Sequence, residues 1–77
     1  MDDLRARVVK IVGRVMDLPA ELLDEKSSMD DVESWDSLRH MNLVMALEEE
    51  FGLSFTDEEI VEMLSVEIIL ETLKSRR

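Results

Sequence analysis

Apolar residues return every third or fourth position in four separate stretches of this chain, and in none do they alternate over the length of a strand. The chain is thereby confined to helices. From Leu4 the apolar positions are Val8, Ile11, Val12 and Val15, one face of a first helix, with Asp2 or Asp3 placed to cap it and to meet the positive end of its dipole. Leu18-Pro19-Ala20-Glu21-Leu22-Leu23 breaks the period and reads as a short turn with Pro19 at its first helical position. From Asp24 to Trp35 the chain is polar and has no apolar period, so it reads as a long loop crossing the bundle, of a length that tends to be functional or mobile. A second helix runs from about Ser37 to Phe51 and is stopped by Gly52 in a C′ position. Thr56-Asp57-Glu58-Glu59 is a capping box opening a short third helix through Met63 or Leu64, and Ser65 is placed to cap a last helix carrying Val66, Ile69, Leu70 and Leu73. The expectation is an all-α fold, a small four-helix bundle with a long loop between its first two helices.

With 77 residues, the expectation is one domain, 1–77, that buries roughly 60% of its unfolded surface and is only marginally stable. Its aromatics are Trp35, Phe51 and Phe55, so the core must come from Leu, Ile, Val and the six Met. There is no Cys, which excludes disulfides and thiolate metal sites and gives no reason to expect an oxidising compartment. No apolar run is long enough to span a bilayer or to form the core of a signal peptide. A soluble, cytoplasmic monomer is the simplest expectation.

The net charge of −10 is unevenly spread. Residues 1–20 hold three acids and four bases and residues 65–77 hold two acids and three bases, so each end is near +1, while residues 21–64 set fourteen acids against two bases, or −12. Binding to nucleic acid or to an anionic membrane needs clustered Lys and Arg, which this middle segment lacks. A basic protein partner suits it, and so does a plain solvated surface that maintains solubility.

The second helix has two apolar faces. At about 100° per residue, His40, Leu43, Val44, Leu47 and Phe51 share the side that faces the core, while Leu38, Met41 and Met45 fall nearly opposite. With Asn42, Glu48 and Glu49 as neighbours, the second face is a Leu-Met patch edged by carboxylates, the sort of surface that engages protein partners, and Met suits one that must accommodate several. The alternative is that the long loop folds over this face and buries it.

Other chemistries fail on spacing. A calcium loop starting at Asp24 would need Gly at its sixth position and Glu at its twelfth, where this chain has Met29 and Trp35. His40, the only histidine of a chain without cysteine, cannot form a typical zinc site and reads as a satisfied packing residue. A triad of Ser37, His40 and Asp36 would need a histidine that points at the serine rather than into the core. Glu48 to Glu50 are consecutive on an exposed helix, hence solvated charge rather than an acid and base pair.

Ser37 stands where the polar loop meets the amphipathic segment, which puts its hydroxyl on the first turn of the second helix. A serine there usually caps the helix, although the free N–H groups and positive dipole end also suit a phosphodiester on this hydroxyl. The stretch Trp35-Asp36-Ser37-Leu38-Arg39-His40-Met41-Asn42-Leu43-Val44-Met45-Ala46-Leu47-Glu48-Glu49-Glu50-Phe51-Gly52 closely resembles the attachment helix of the acyl and peptidyl carrier protein family, and the likeness extends over nearly the whole chain. This resemblance implies a bundle of the acyl-carrier type and a non-catalytic carrier whose Ser37 receives 4′-phosphopantetheine from coenzyme A, with Asp36 and Leu38 completing a three-residue signature. The thiol of that arm would hold acyl or aminoacyl units as thioesters. Implied partners are a phosphopantetheinyl transferase and acyl- or aminoacyl-loading and acyl-processing enzymes with basic docking surfaces. The implied partner-binding residues are Leu38, Met41, Asn42, Met45, Glu48 and Glu49, the face that periodicity singles out independently. The chain departs from the family at Ser34, where Gly is common, and at Arg39 and Asn42, which are often acidic in fatty-acid carriers. Fatty-acid, polyketide, nonribosomal peptide and other specialised acyl chemistry all remain open as pathways, and the alternative function is an acidic helical interaction module without covalent modification.

Overall fold

Leu4, Val8, Ile11 and Val12 lie buried along one face of α1, Asp3–Met16, where Val9 and Met16 join them and Val15 is half-buried. The computed structural model describes residues 3–76, and of Asp3 only the backbone, so the cap expected from Asp2 or Asp3 lies outside the described residues. At the other end of α1 the last four carbonyls all find donors. The Leu18 N–H bonds to Gly13 O at 2.8 Å and the Asp17 N–H to Arg14 O at 3.4 Å, the paired pattern of a Schellman end, with Asp17 in the left-handed region at φ 61°. Arg39 Nη1 donates to Val15 O and Ser34 Oγ to Met16 O, each at 2.9 Å. Gly13 is required by the same turn, since a Cβ there would stand 2.8 Å from the Leu18 carbonyl oxygen.

The expected break follows, with Pro19 one position earlier than its spacing implies: it precedes the 3₁₀ turn Ala20–Leu22 at φ −63° instead of opening it. The segment up to Trp35 is better anchored than its polar composition suggests. Leu23, Ser27, Val32 and Trp35 are buried and Met29 is half-buried against the core. Its carbonyls also serve α4, Val66–Ser75: the Val66 N–H bonds to Ser27 O at 2.9 Å and the Glu67 N–H to Glu25 O at 3.0 Å, while Ser65 Oγ accepts from the Ile68 N–H at 3.2 Å. The loop therefore satisfies a helix N-terminus, and isolated apolar anchors do for it what a periodic stripe does for a helix.

The second helix, α2, spans Ser37–Phe51 and ends at Gly52 in the left-handed conformation, φ 64°, as its sequence predicts. The third, α3, Asp57–Glu62, opens with the expected capping box: Glu59 N–H to Thr56 Oγ1 at 3.1 Å and Thr56 N–H to Glu59 Oε1 at 2.9 Å. None of its own residues is fully buried, and Met63, just past its end, drops into the core instead. The core is the space between α1, α2 and α4, filled by Val8, Val12, Leu43, Leu47, Val66, Ile69 and Leu73 and closed by Trp35. The architecture is the all-α bundle expected. No helix among the described residues is long and apolar enough to cross a membrane.

Candidate functional site

Trp35 to Arg39 form the corner where the loop enters α2. Asp36 has extended backbone angles (φ −108°, ψ −175°), and its Oδ1 accepts the Arg39 N–H at 2.9 Å, so Asp36 rather than Ser37 is the N-cap. The first helical hydrogen bond runs from the His40 N–H to Asp36 O at 2.8 Å. Ser37 is the first helical residue and is exposed. Among the described residues its hydroxyl has no hydrogen-bond partner, and the Ser37 and Leu38 N–H groups have no acceptor. Two amides and a free hydroxyl are thus left at the positive end of a 15-residue helix.

The remaining serines differ. Ser27 Oγ accepts the Asp24 N–H, Ser28 Oγ donates to Asp31 Oδ2, Ser34 Oγ donates to Met16 O, Ser65 Oγ caps α4 and Ser75 Oγ donates to Thr72 O. Ser54 is exposed but lies in the connection between α2 and α3, away from any helix start.

Behind the corner, Trp35 is 2% exposed, and its Nε1–H donates to His40 Nδ1 at 3.1 Å. The imidazole then carries its proton on Nε2 and donates to Ile60 O at 2.8 Å. His40 is a packing residue with both nitrogens satisfied, as its core-facing position implies, and it joins the loop, α2 and α3. The sequence carries one signal for its bond to Trp35: a buried indole N–H needs an acceptor. Arg39 and Ser34, which in sequence stand out only as departures from a family pattern, both hold the end of α1, and with Leu18, Glu33 and Asp36 they line an open depression at the corner.

Along α2 the second apolar face stands open to solvent: Leu38, Met41 and Met45 are 72%, 48% and 63% exposed, and the loop does not fold over them. Asn42 and Glu49 are exposed beside them. Glu48 differs from the expectation of a freely solvated acid. It is half-buried, and its Oε2 accepts the Phe55 N–H at 2.9 Å, closing the turn after Gly52. Four residues after Val44, it falls only about 40° around the helix from that core position, which accounts for its burial. Phe51, expected in the core, is half-buried, with the Arg7 guanidinium 4.5 Å from its ring centroid.

A family model described as the phosphopantetheine attachment site matches residues 6–73. The first turn of α2 fits a group attached through a phosphodiester: it offers an exposed hydroxyl and, among the described residues, unpaired amides for phosphate oxygens and no side chain competing for either. Together with the four-helix architecture, the match establishes that this chain belongs to the acyl and peptidyl carrier protein family, the non-catalytic carriers of 4′-phosphopantetheine.

Proposed function

We propose that Ser37 is the attachment point of the phosphopantetheine arm and that the protein carries acyl or aminoacyl units between enzymes. The observation that carries this reading is the state of its hydroxyl, which is exposed at a helix start and has no structural duty among the described residues. When bound, the group supplies a thiol at the end of a flexible arm, on which such units ride as thioesters. The chain itself contributes the acceptor oxygen, the positive end of α2 behind it, and a docking face for the enzymes that the arm must reach. That face comprises Leu38, Met41 and Met45 with Asn42 and Glu49 around them and Glu48 at its edge, and its acidic surroundings favour enzymes with basic rims. Methionine's flexibility suits successive partners of different shape.

Intact-mass measurement after incubation with coenzyme A and a broad-specificity phosphopantetheinyl transferase tests the assignment. One phosphopantetheine per chain is expected, located by proteolysis to the peptide containing Ser37 and absent from Ser37→Ala. An adduct that persists in Ser37→Ala, or a wild-type protein that several active transferases leave unmodified, overturns it.

A further inference from the structure

We propose that Arg39, with Ser34, is a positioning residue for the modification of Ser37: the pair ties the attachment segment to the end of α1 on both sides of the serine and so fixes where the hydroxyl stands. This rests on the Ser37 reading above. Because the Ser37 hydroxyl has no partner among the described residues, its location is set by the backbone alone. Three residues before it, Ser34 Oγ donates to Met16 O at 2.9 Å; two residues after it, Arg39 Nη1 donates to Val15 O at 2.9 Å. Two consecutive carbonyls of one helix end thus receive one bond from each side of the serine. A shift or roll of the corner along α1 would break at least one of them. Arg39 also gives its backbone N–H to the Asp36 cap, so the cap and the anchor share a residue.

Charge supports the assignment. Arg39 and Lys26 are the two bases among residues 21–64, and Arg39 is directed at carbonyls where the helix dipole gathers negative charge. At 100° per residue it lies roughly 100° or more around α2 from Leu38, Met41 and Met45, the apolar centre of the docking face, and about 60° from Asn42 at the margin of that face. An arginine at this position therefore does not offset the acidic rim that a basic enzyme would meet.

The reaction that depends on this placement forms a bond from Ser37 Oγ to phosphorus and breaks a P–O bond of the coenzyme A diphosphate. The hydroxyl proton passes to a base on the transferase, and adenosine 3′,5′-bisphosphate leaves. Displacement at phosphorus is sensitive to the position of the attacking oxygen, so loosening the corner should slow the chemical step while docking continues on an unchanged face.

The test is steady-state transfer from coenzyme A to wild type, Arg39→Ala, Arg39→Lys, Ser34→Ala and, as a control of core stability away from the corner, Ile69→Val. Arg39→Ala is expected to lower kcat about tenfold without raising KM, since removing a cation does not weaken attraction to a basic enzyme. Arg39→Lys, which keeps one donor for Val15 O, should recover most of the rate. Ser34→Ala should fall in the same direction as Arg39→Ala, and it carries the same test should that variant fail to fold. Ile69→Val should match wild type in kcat. A wild-type kcat in Arg39→Ala, an Arg39→Lys variant as slow as Arg39→Ala, or an equal loss in Ile69→Val overturns the inference. An adduct on Ser37→Ala would instead overturn the attachment assignment, so the two failures are distinguishable.

Discussion

Asp36 holds the Arg39 N–H at 2.9 Å and so takes the capping role that a serine at a helix start commonly fills, leaving Ser37 free of it. The two neighbours should therefore differ sharply in stability. Asp36→Ala removes the cap and is expected to cost about 0.5–2 kcal/mol in urea unfolding, whereas Ser37→Ala, an exposed first-turn substitution, should stay within about 0.5 kcal/mol of wild type. A Ser37→Ala protein as unstable as Asp36→Ala would show that the hydroxyl has a structural partner. The sequence revealed the position of Ser37 at the helix start but not this division of labour, because Asp36 and Ser37 are both good capping residues and only backbone geometry decides which one reaches the Arg39 amide. His40 is similar. Its burial follows from its place on the core side of α2, but its bond to Trp35 depends on how the loop closes over the corner, which periodicity does not encode.

Among the elements, the end of α1 stores an opposed pair of effects. Asp17 sits at φ 61°, where a side chain is disfavoured, and Gly13 lies where a Cβ would approach Leu18 O to 2.8 Å. Asp17→Gly is expected to raise the melting temperature, by up to several degrees if about 1 kcal/mol of strain is relieved. Gly13→Ala should lower it by opening the turn, and calorimetry that finds the same sign for both would contradict this account. On α2 the two apolar faces should separate in the same way. Leu47 is fully buried, and Leu47→Ala should cost about 2–5 kcal/mol. Met45 is 63% exposed, so Met45→Ser should leave helical circular dichroism and stability nearly intact while weakening binding to partner enzymes. Should Met45→Ser unfold the protein as badly as Leu47→Ala, the face is not a surface. All four helices could be read from the sequence: α1, α2 and α4 because each combines an apolar period with a cap or a stop, and the short α3 from its capping box. The loop's burial could not: Leu23 stands nine residues before Val32, and the three-residue spacing of Met29, Val32 and Trp35 falls in turns rather than in a helix, so these side chains are covered only through tertiary contacts.

At the scale of the whole molecule, the sequence separates charge and the fold partly brings it back together. The mildly basic ends pair with the acidic middle at Arg5–Glu25, Arg7–Glu50 and Arg76–Glu59, with N···O distances of 3.1, 2.9 and 3.1 Å. These pairs engage three of the fourteen acids in residues 21–64, where Lys26 and Arg39 are the only bases in sequence, and the chain folds to a radius of gyration of 11.1 Å. Added salt then acts in two directions. It weakens the three pairs, whose side chains are 24–51% exposed and each of which is worth at most about 1 kcal/mol. It also relieves repulsion among the many remaining carboxylates, which in a molecule of 30 × 28 × 19 Å lie within about one Debye length of one another at about 10 mM salt. With a net charge of −10, relief should win, and the melting temperature should rise between about 10 and 150 mM salt. Reversing Arg7 to Glu breaks an attraction, removes one positive charge and adds one negative, so that variant should gain more from salt than the wild-type protein does. A melting temperature that is flat or falls with salt in both proteins would mean that the clustered acids do not strain the folded state.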